Sequence, residues 1–123
     1  MPPSASADAP RALVALLCLA LPEAEEIPFG THARFVVRGR SFAWFLENHH
    51  GDGITAVSLK LPPELGDALI ASMPDWCYRP PYLGPKGWVA VRLDLGEIDH
   101  EHLSELITTS YRLVAPKRLA ALT

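Results

Sequence analysis

Imidazoles and carboxylates crowd together twice in this 123-residue chain. His49, His50 and Asp52 share the stretch ENHHGDG, and Asp99, His100, Glu101 and His102 run consecutively. Such groups are the usual ligands of a divalent metal. Neither stretch has a recognised ligand spacing such as HExxH. The glycines and Asp52 suit a hairpin loop, and Asp99 suits a helix cap, so no metal is expected at either place. Cys77 lies between Trp76 and Tyr78, near Arg79, a setting that would lower a thiol pKa. No cysteine-protease signature surrounds it, and no base can be assigned to it. Tyr78 and Tyr82 are read as packing residues, and His32 as structural or exposed. The chain has no phosphate-binding glycine loop, no GxSxG elbow and no dinucleotide fingerprint. The expectation is a protein that is not an enzyme, with no catalytic residue and no cofactor.

The remaining chemistry is cationic. The formal charge is −3, whereas a protein dedicated to coating DNA is normally basic overall. Any nucleic-acid role must therefore rest on a local patch. Strand phases place Arg34, Arg38, Lys60 and Arg92 on one sheet face, with Arg40 in an adjoining turn and only Asp94 opposing them. The other acids, from Glu23, Glu25 and Glu26 to Glu101 and Glu105, fall elsewhere. Phe45 and Trp88 share the basic face and offer stacking surfaces. The competing reading is a solvated face whose arginines lie across exposed hydrocarbon.

These residues need elements to hold them. Residues 1–8 are small, polar and proline-bearing, which suggests a mobile tail. A helix is expected from about Asp8 to Pro10, with Asp8 as its cap, as far as Pro22. Its apolar stripe is Leu13, Leu16, Leu17, Ala20 and Leu21. The run ALVALLCLAL is too short to span a bilayer and lacks a signal cleavage site. The acidic EAEE is read as a connection. ARFVVRGRSFAWFL reads as a hairpin turning at Gly39-Arg40. That register groups Phe35, Val37, Phe42, Trp44 and Leu46 on one face, opposite Arg34, Val36, Arg38, Ser41, Ala43 and Phe45. ITAVSLK is a third strand, with Val57 and Leu59 inward. Pro62-Pro63-Glu64 starts a short helix reaching about Ser72. Trp76 to Arg79 is a candidate edge strand, and WVAVRLD a strong strand with Val89, Val91 and Leu93 on one face. Asp99 caps a last long helix with the stripe Leu103, Leu106, Ile107 and Val114. The pattern is α+β, a single domain over residues 1–123 with an antiparallel sheet. Cys18 and Cys77, the only cysteines, sit in contexts too unlike for a disulfide framework, which points to a reducing, cytoplasmic setting.

The ending YRLVAPKRLAAL breaks at Pro116, which disfavours helix at Ala115 and starts a short second helix. Leu119 and Leu122 are expected to pack back on the core. Lys117 and Arg118 then sit where the helix dipole is already positive. A phosphate, another small anion or an acid from EAEE would offset that charge.

The pieces CLALPEAEE, RFVVRGRSFAWF, SLKLPPE, GPKGWVAVRLD and SYRLVAPKRL resemble, in order and spacing, the MmcQ/YjbR family. The matching positions are Phe35, Arg38, Gly39, Trp88, Arg112, Pro116, Lys117 and Arg118. Arg40 stands where lysine is usual. The resemblance covers about Arg11 to Leu119. It implies a CyaY-like α/β sandwich, of the double-wing kind, with N- and C-terminal helices packed on one face of the sheet. It also implies DNA binding. Together with the charge pattern, it makes Arg34, Arg38, Arg40, Lys60, Lys86, Arg92, Lys117 and Arg118 the expected phosphate contacts. The alternatives are a protein- or peptide-binding adaptor using Val36, Phe45 and Trp88 of the same sheet, and a small-anion binder at the Pro116 helix start.

Overall fold

A computed structural model describes residues 5–48, 51–81 and 83–123, with side chains from residue 9 onward. Helix α1 spans Ala5–Leu19, and three consecutive strands follow: β1 Glu25–Phe29, β2 His32–Val37 and β3 Arg40–Glu47. Next come β4 Thr55–Lys60, α2 Pro63–Ser72, β5 Cys77–Tyr78 and β6 Trp88–Arg92. Helices α3 His100–Val114 and α4 Lys117–Ala120 complete the fold. The strands form one antiparallel sheet in the order β1-β2-β3-β4-β6-β5, so β1 and β5 are its edges. Val14 and Cys18 of α1 and Leu103, Ile107 and Tyr111 of α3 join Phe35, Phe42, Phe45, Val57, Leu59 and Val89 in one core. The expected α+β architecture, with terminal helices over one sheet face, is thus present.

Several local expectations change. The described helix already begins at Ala5 and passes through Pro10, earlier than the expected tail allows. Its buried stripe is centred on Val14 and Cys18, one turn apart, while Leu16 is 70% exposed. The turn before the sheet closes at Pro22, whose carbonyl accepts from the Tyr111 hydroxyl at 2.6 Å. The acidic EAEE does not remain a connection. Glu25 and Glu26 open β1, which pairs with β2 through Glu25↔Val36 to Phe29↔His32. Charge at an edge strand obscures the strand pattern, because its outward groups face water.

The main correction lies in the β2–β3 hairpin. Arg38 (φ 51°) and Gly39 (φ 79°) are both left-handed, the geometry of a two-residue hairpin turn whose twist matches its strands. The turn is Arg38-Gly39, one residue earlier than expected, and Val37 faces Arg40. Pairing continues as Val36↔Ser41 but resumes as Phe35↔Ala43 and Arg34↔Trp44. Phe42 is the extra residue, a β-bulge that reverses the side-chain phase beyond it. Phe45 therefore enters the core, only 1% exposed. Trp44 and Leu46 move to the opposite face. Helix α3 supports the bulge. The Ser110 hydroxyl donates to the Phe42 carbonyl at 2.6 Å and accepts from the Lys60 amide at 2.9 Å. Two buried backbone groups are satisfied by one side chain, and the Phe42 and Tyr111 rings meet edge to face at 5.3 Å.

At the C-terminus Ala115 is extended (ψ 153°) and Pro116 precedes α4, as expected. Leu119 packs back, but Leu122 stays 69% exposed. The short α4 ends before its next turn can lay Leu122 against the core.

Candidate nucleic-acid interface

Antiparallel register converts residues far apart in sequence into neighbours at one end of the sheet. The β2–β3 turn carries Arg38, and Arg40 begins β3. Ala43↔Leu59 and Lys60↔Trp88 put the end of β4 and the start of β6 at that same end. Lys86 lies in the tight turn just before β6. Arg38 is bonded to Glu23, its Nε and Nη2 donating to Oε1 and Oε2 at 2.6 and 3.0 Å. The Arg38 hydrogen bond holds the Glu23 carboxyl below its ordinary pKa, and the nearby Arg118 charge adds to this. Two arginines far apart in sequence, Arg38 and Arg118, therefore act on one carboxylate. The acid supplied to this place by EAEE is Glu23, but it pairs with Arg38 rather than occupying the expected site at Lys117 and Arg118. It contacts Arg38 directly and feels Arg118 through space.

The opposite end of the sheet is acidic. Glu47 ends β3, Asp52 follows in the β3–β4 loop, and Asp94 follows β6. Arg92 lies here, where Nε and Nη2 donate to the two Asp94 oxygens at 3.0 Å each. That pair raises the Arg92 pKa and lowers that of Asp94, which also accepts from the Thr55 amide. Arg34 lies between the ends. Its Nη1 donates to Ser41 Oγ at 2.9 Å and its guanidinium sits 5.8 Å from the Trp44 ring centre. The expected single basic face is thus three things: a cationic end, a neutralised pair and a stacked arginine. Among the described residues, Arg40, Lys60, Lys86, Lys117 and Arg118 make no ion pair within 4 Å.

The expected stacking residues are not available. Phe45 is in the core, and Trp88 is 8% exposed. Val36 is buried as well, which removes the proposed adaptor surface of Val36, Phe45 and Trp88. Another set replaces them on the sheet face turned away from α1 and α3. A row across four strands reads Trp44, Ser58, Ala90, Tyr78. Large residues flank small ones, so the face is a trough. The groove measures about 370 Å³, with Ala56 and Ser58 among its lining, Phe29, Trp44 and Leu46 on one side, and Tyr78, Pro80, Pro81 and Leu83 on the other. Phe29 and Trp44 meet edge to face at 5.8 Å. The sequence signal for this set was the alternation itself, which the bulge at Phe42 reversed.

Cys77 is buried, and burial pushes its thiol pKa up, contrary to the lowered value its neighbours suggested. Arg79 does not approach it as a charge partner. Its Nη2 donates to Asp67 Oδ1 at 2.6 Å and its Nη1 to the Trp88 carbonyl at 3.3 Å, tying α2 to β6. Asp99 caps α3, accepting from the His102 amide at 3.0 Å. His49, His50 and Tyr82 lie outside the described residues.

Fold and surface together define a small α+β domain with one sheet face under helices and the other grooved. A family model described as YjbR matches residues 19–113, and the chain belongs to the YjbR family. It is similar to the crystal structure of Deinococcus radiodurans protein DR2400, whose domain is described as DUF419. The two are 32% identical, with a TM-score of 0.66, over 81% of this chain and 74% of that one. No curated protein matches the chain. Among the described residues, no helix is long and apolar enough to cross a membrane.

Proposed function

We propose that this protein binds DNA, without catalysing a reaction on it, through the cationic end of its sheet. The observation that carries this reading is the segregation of charge along the strands. Arg38, Arg40, Lys60 and Lys86 gather at the end of the β2–β3 turn, with Arg118 close enough to act on Glu23 beside them, while Glu47, Asp52 and Asp94 occupy the other end. A protein of negative net charge then still presents a local positive field to phosphates. Contacts of this kind position a protein on nucleic acid and carry little base information. Burial of both cysteines as free thiols fits the reducing cytoplasm as the place where it acts.

The test is titration of a random-sequence DNA duplex by fluorescence anisotropy at several salt concentrations. Affinity should fall steeply with salt, the logarithm of the constant losing about 0.9 per released phosphate contact. Absence of salt-dependent binding at low ionic strength overturns the reading.

A further inference from the structure

We infer that the trough on the outer sheet face holds an unpaired nucleotide of a single-stranded nucleic acid, a reading that rests on the nucleic-acid function proposed above. The trough is apolar in its middle, with acid at one end and cations outside its lining on the other side. Arg34 lies beside Trp44, and Lys60 two residues beyond Ser58 on the same face. Asp52 lines the far end. Between them stand the rings of Phe29, Trp44 and Tyr78. A nucleotide has the same three parts in the same order. Its phosphate is anionic, its base is a flat apolar plate, and the edge of the base carries hydrogen-bond donors.

Dimensions agree with this occupant. Four strand steps from Ala56 to Lys60 extend about 13 Å, and the three strand spacings separating β3 from β5 cover about 14 Å. The volume of about 370 Å³ lies within the range of small-ligand sites. Nucleic acid in a duplex cannot use such a site, because each base face is already stacked on its neighbours. An unpaired base presents a free π-face, and aromatic platforms take it with little regard to sequence. Asp52 adds a preference. A carboxylate accepts from an exocyclic amino group, as on cytosine, and thymine has none to donate.

Charge places the strand's path. A phosphate beside Lys60 lies at the cationic end, within reach of Arg34 midway along the sheet, and the backbone then continues toward Arg40 and Lys86. The Arg34 guanidinium is already oriented, held by Ser41 and the face of Trp44, so little rotamer freedom is lost on binding.

The experiment compares a 12-nucleotide single strand, the same strand with abasic sites, its duplex and free cytidine monophosphate, each titrated at one salt concentration against the wild type, Trp44→Ala, Trp44→Phe and Tyr78→Ala. The single strand should bind about tenfold tighter than either the duplex or the abasic strand. Trp44→Ala and Tyr78→Ala should each lose about tenfold on the single strand alone, with Trp44→Phe restoring most of the affinity. A cytosine strand should outbind a thymine strand, with the difference removed by Asp52→Asn. Equal affinity for all polymers, unchanged by Trp44→Ala, overturns the trough site and leaves the phosphate-binding function standing. Failure of every polymer to bind overturns both. Cytidine monophosphate binding as tightly as the strand, or a proline-rich peptide displacing the strand, overturns the single-strand assignment. Circular dichroism of each variant separates lost binding from lost folding.

Discussion

Glu23–Arg38 and Asp94–Arg92 are chemically the same pair, each with two guanidinium nitrogens on two carboxylate oxygens. They sit at opposite ends of one sheet and work in opposite surroundings. Asp94 closes on an arginine two residues away, at an end already rich in acid. Glu23 reaches an arginine 15 residues away and also lowers the field of Arg118. The first pair cancels the only candidate cation at its end. The second leaves surplus cations around it and joins the α1 exit to the hairpin turn. The same interaction can therefore silence a surface or only moderate it, and the neighbours decide which.

The largest effect should come from the support beneath the cationic end. Phe42→Ala removes a fully buried ring at the bulge and should cost about 3–5 kcal/mol, measured by urea unfolding. Ser110→Ala leaves the Phe42 carbonyl and the Lys60 amide without their shared partner and should cost about 1–3 kcal/mol. A loss below about 0.5 kcal/mol for Ser110→Ala would show that water replaces the hydroxyl there and that the bulge does not depend on α3.

Next in size is the charge comparison. Replacing Arg40, Lys60 and Lys117 together by alanine should weaken DNA binding by more than about tenfold at low salt and flatten the salt dependence. Arg92→Ala, at the other end, should change affinity by less than about twofold. Equal losses in the two variants would break the distinction between the ends.

A smaller change, in the opposite direction, is expected for Glu23→Gln. Freeing Arg38 and Arg118 from a carboxylate should strengthen DNA binding by roughly two- to threefold. An unchanged constant would mean that neither arginine meets phosphate.

The smallest effect concerns acid stability. Both carboxyls have folded pKa values below their ordinary values of 4.5 for Glu23 and 3.8 for Asp94. The unfolded chain therefore binds protons first as pH falls, so the stability each pair adds is present above the ordinary value and lost below it. Glu23→Gln should flatten the stability profile below about pH 4.5 and Asp94→Asn below about pH 3.8, and both should leave its slope unchanged at neutral pH. Unaltered acid profiles would show that solvent screens both pairs.

Much of this fold was readable because local signals agreed with it. Pro62-Pro63 and Asp99 mark the starts of α2 and α3, and Pro116 marks the break, within a residue of where they fall. The strands β4 and β6 alternate cleanly, and their faces are as expected. The site was less readable for one reason. A single extra residue at Phe42 inverts everything after it in β3, and no side chain in RSFAWFLE announces a bulge. The exchange sent Phe45 inward and Trp44 outward, so the stacking residues were misplaced, and Arg92 fell at the acidic end against Asp94. Edge strand β1 was missed because EE looks like a linker. The meeting of Glu23 with Arg38 depends on that strand.

The two sheet edges have a further consequence, for association. An exposed edge is a template on which another chain can add a strand. Here β1 carries Pro28, which has no amide to offer, and begins with two glutamates. At the other edge β5 is only two residues long, and Pro80-Pro81 follow soon after it. Neither edge can be extended by a regular ladder of backbone bonds. Copies of this domain therefore have no route to sheet-to-sheet polymerisation in the folded state, and its solubility at high concentration should survive neutralisation of its surface charge.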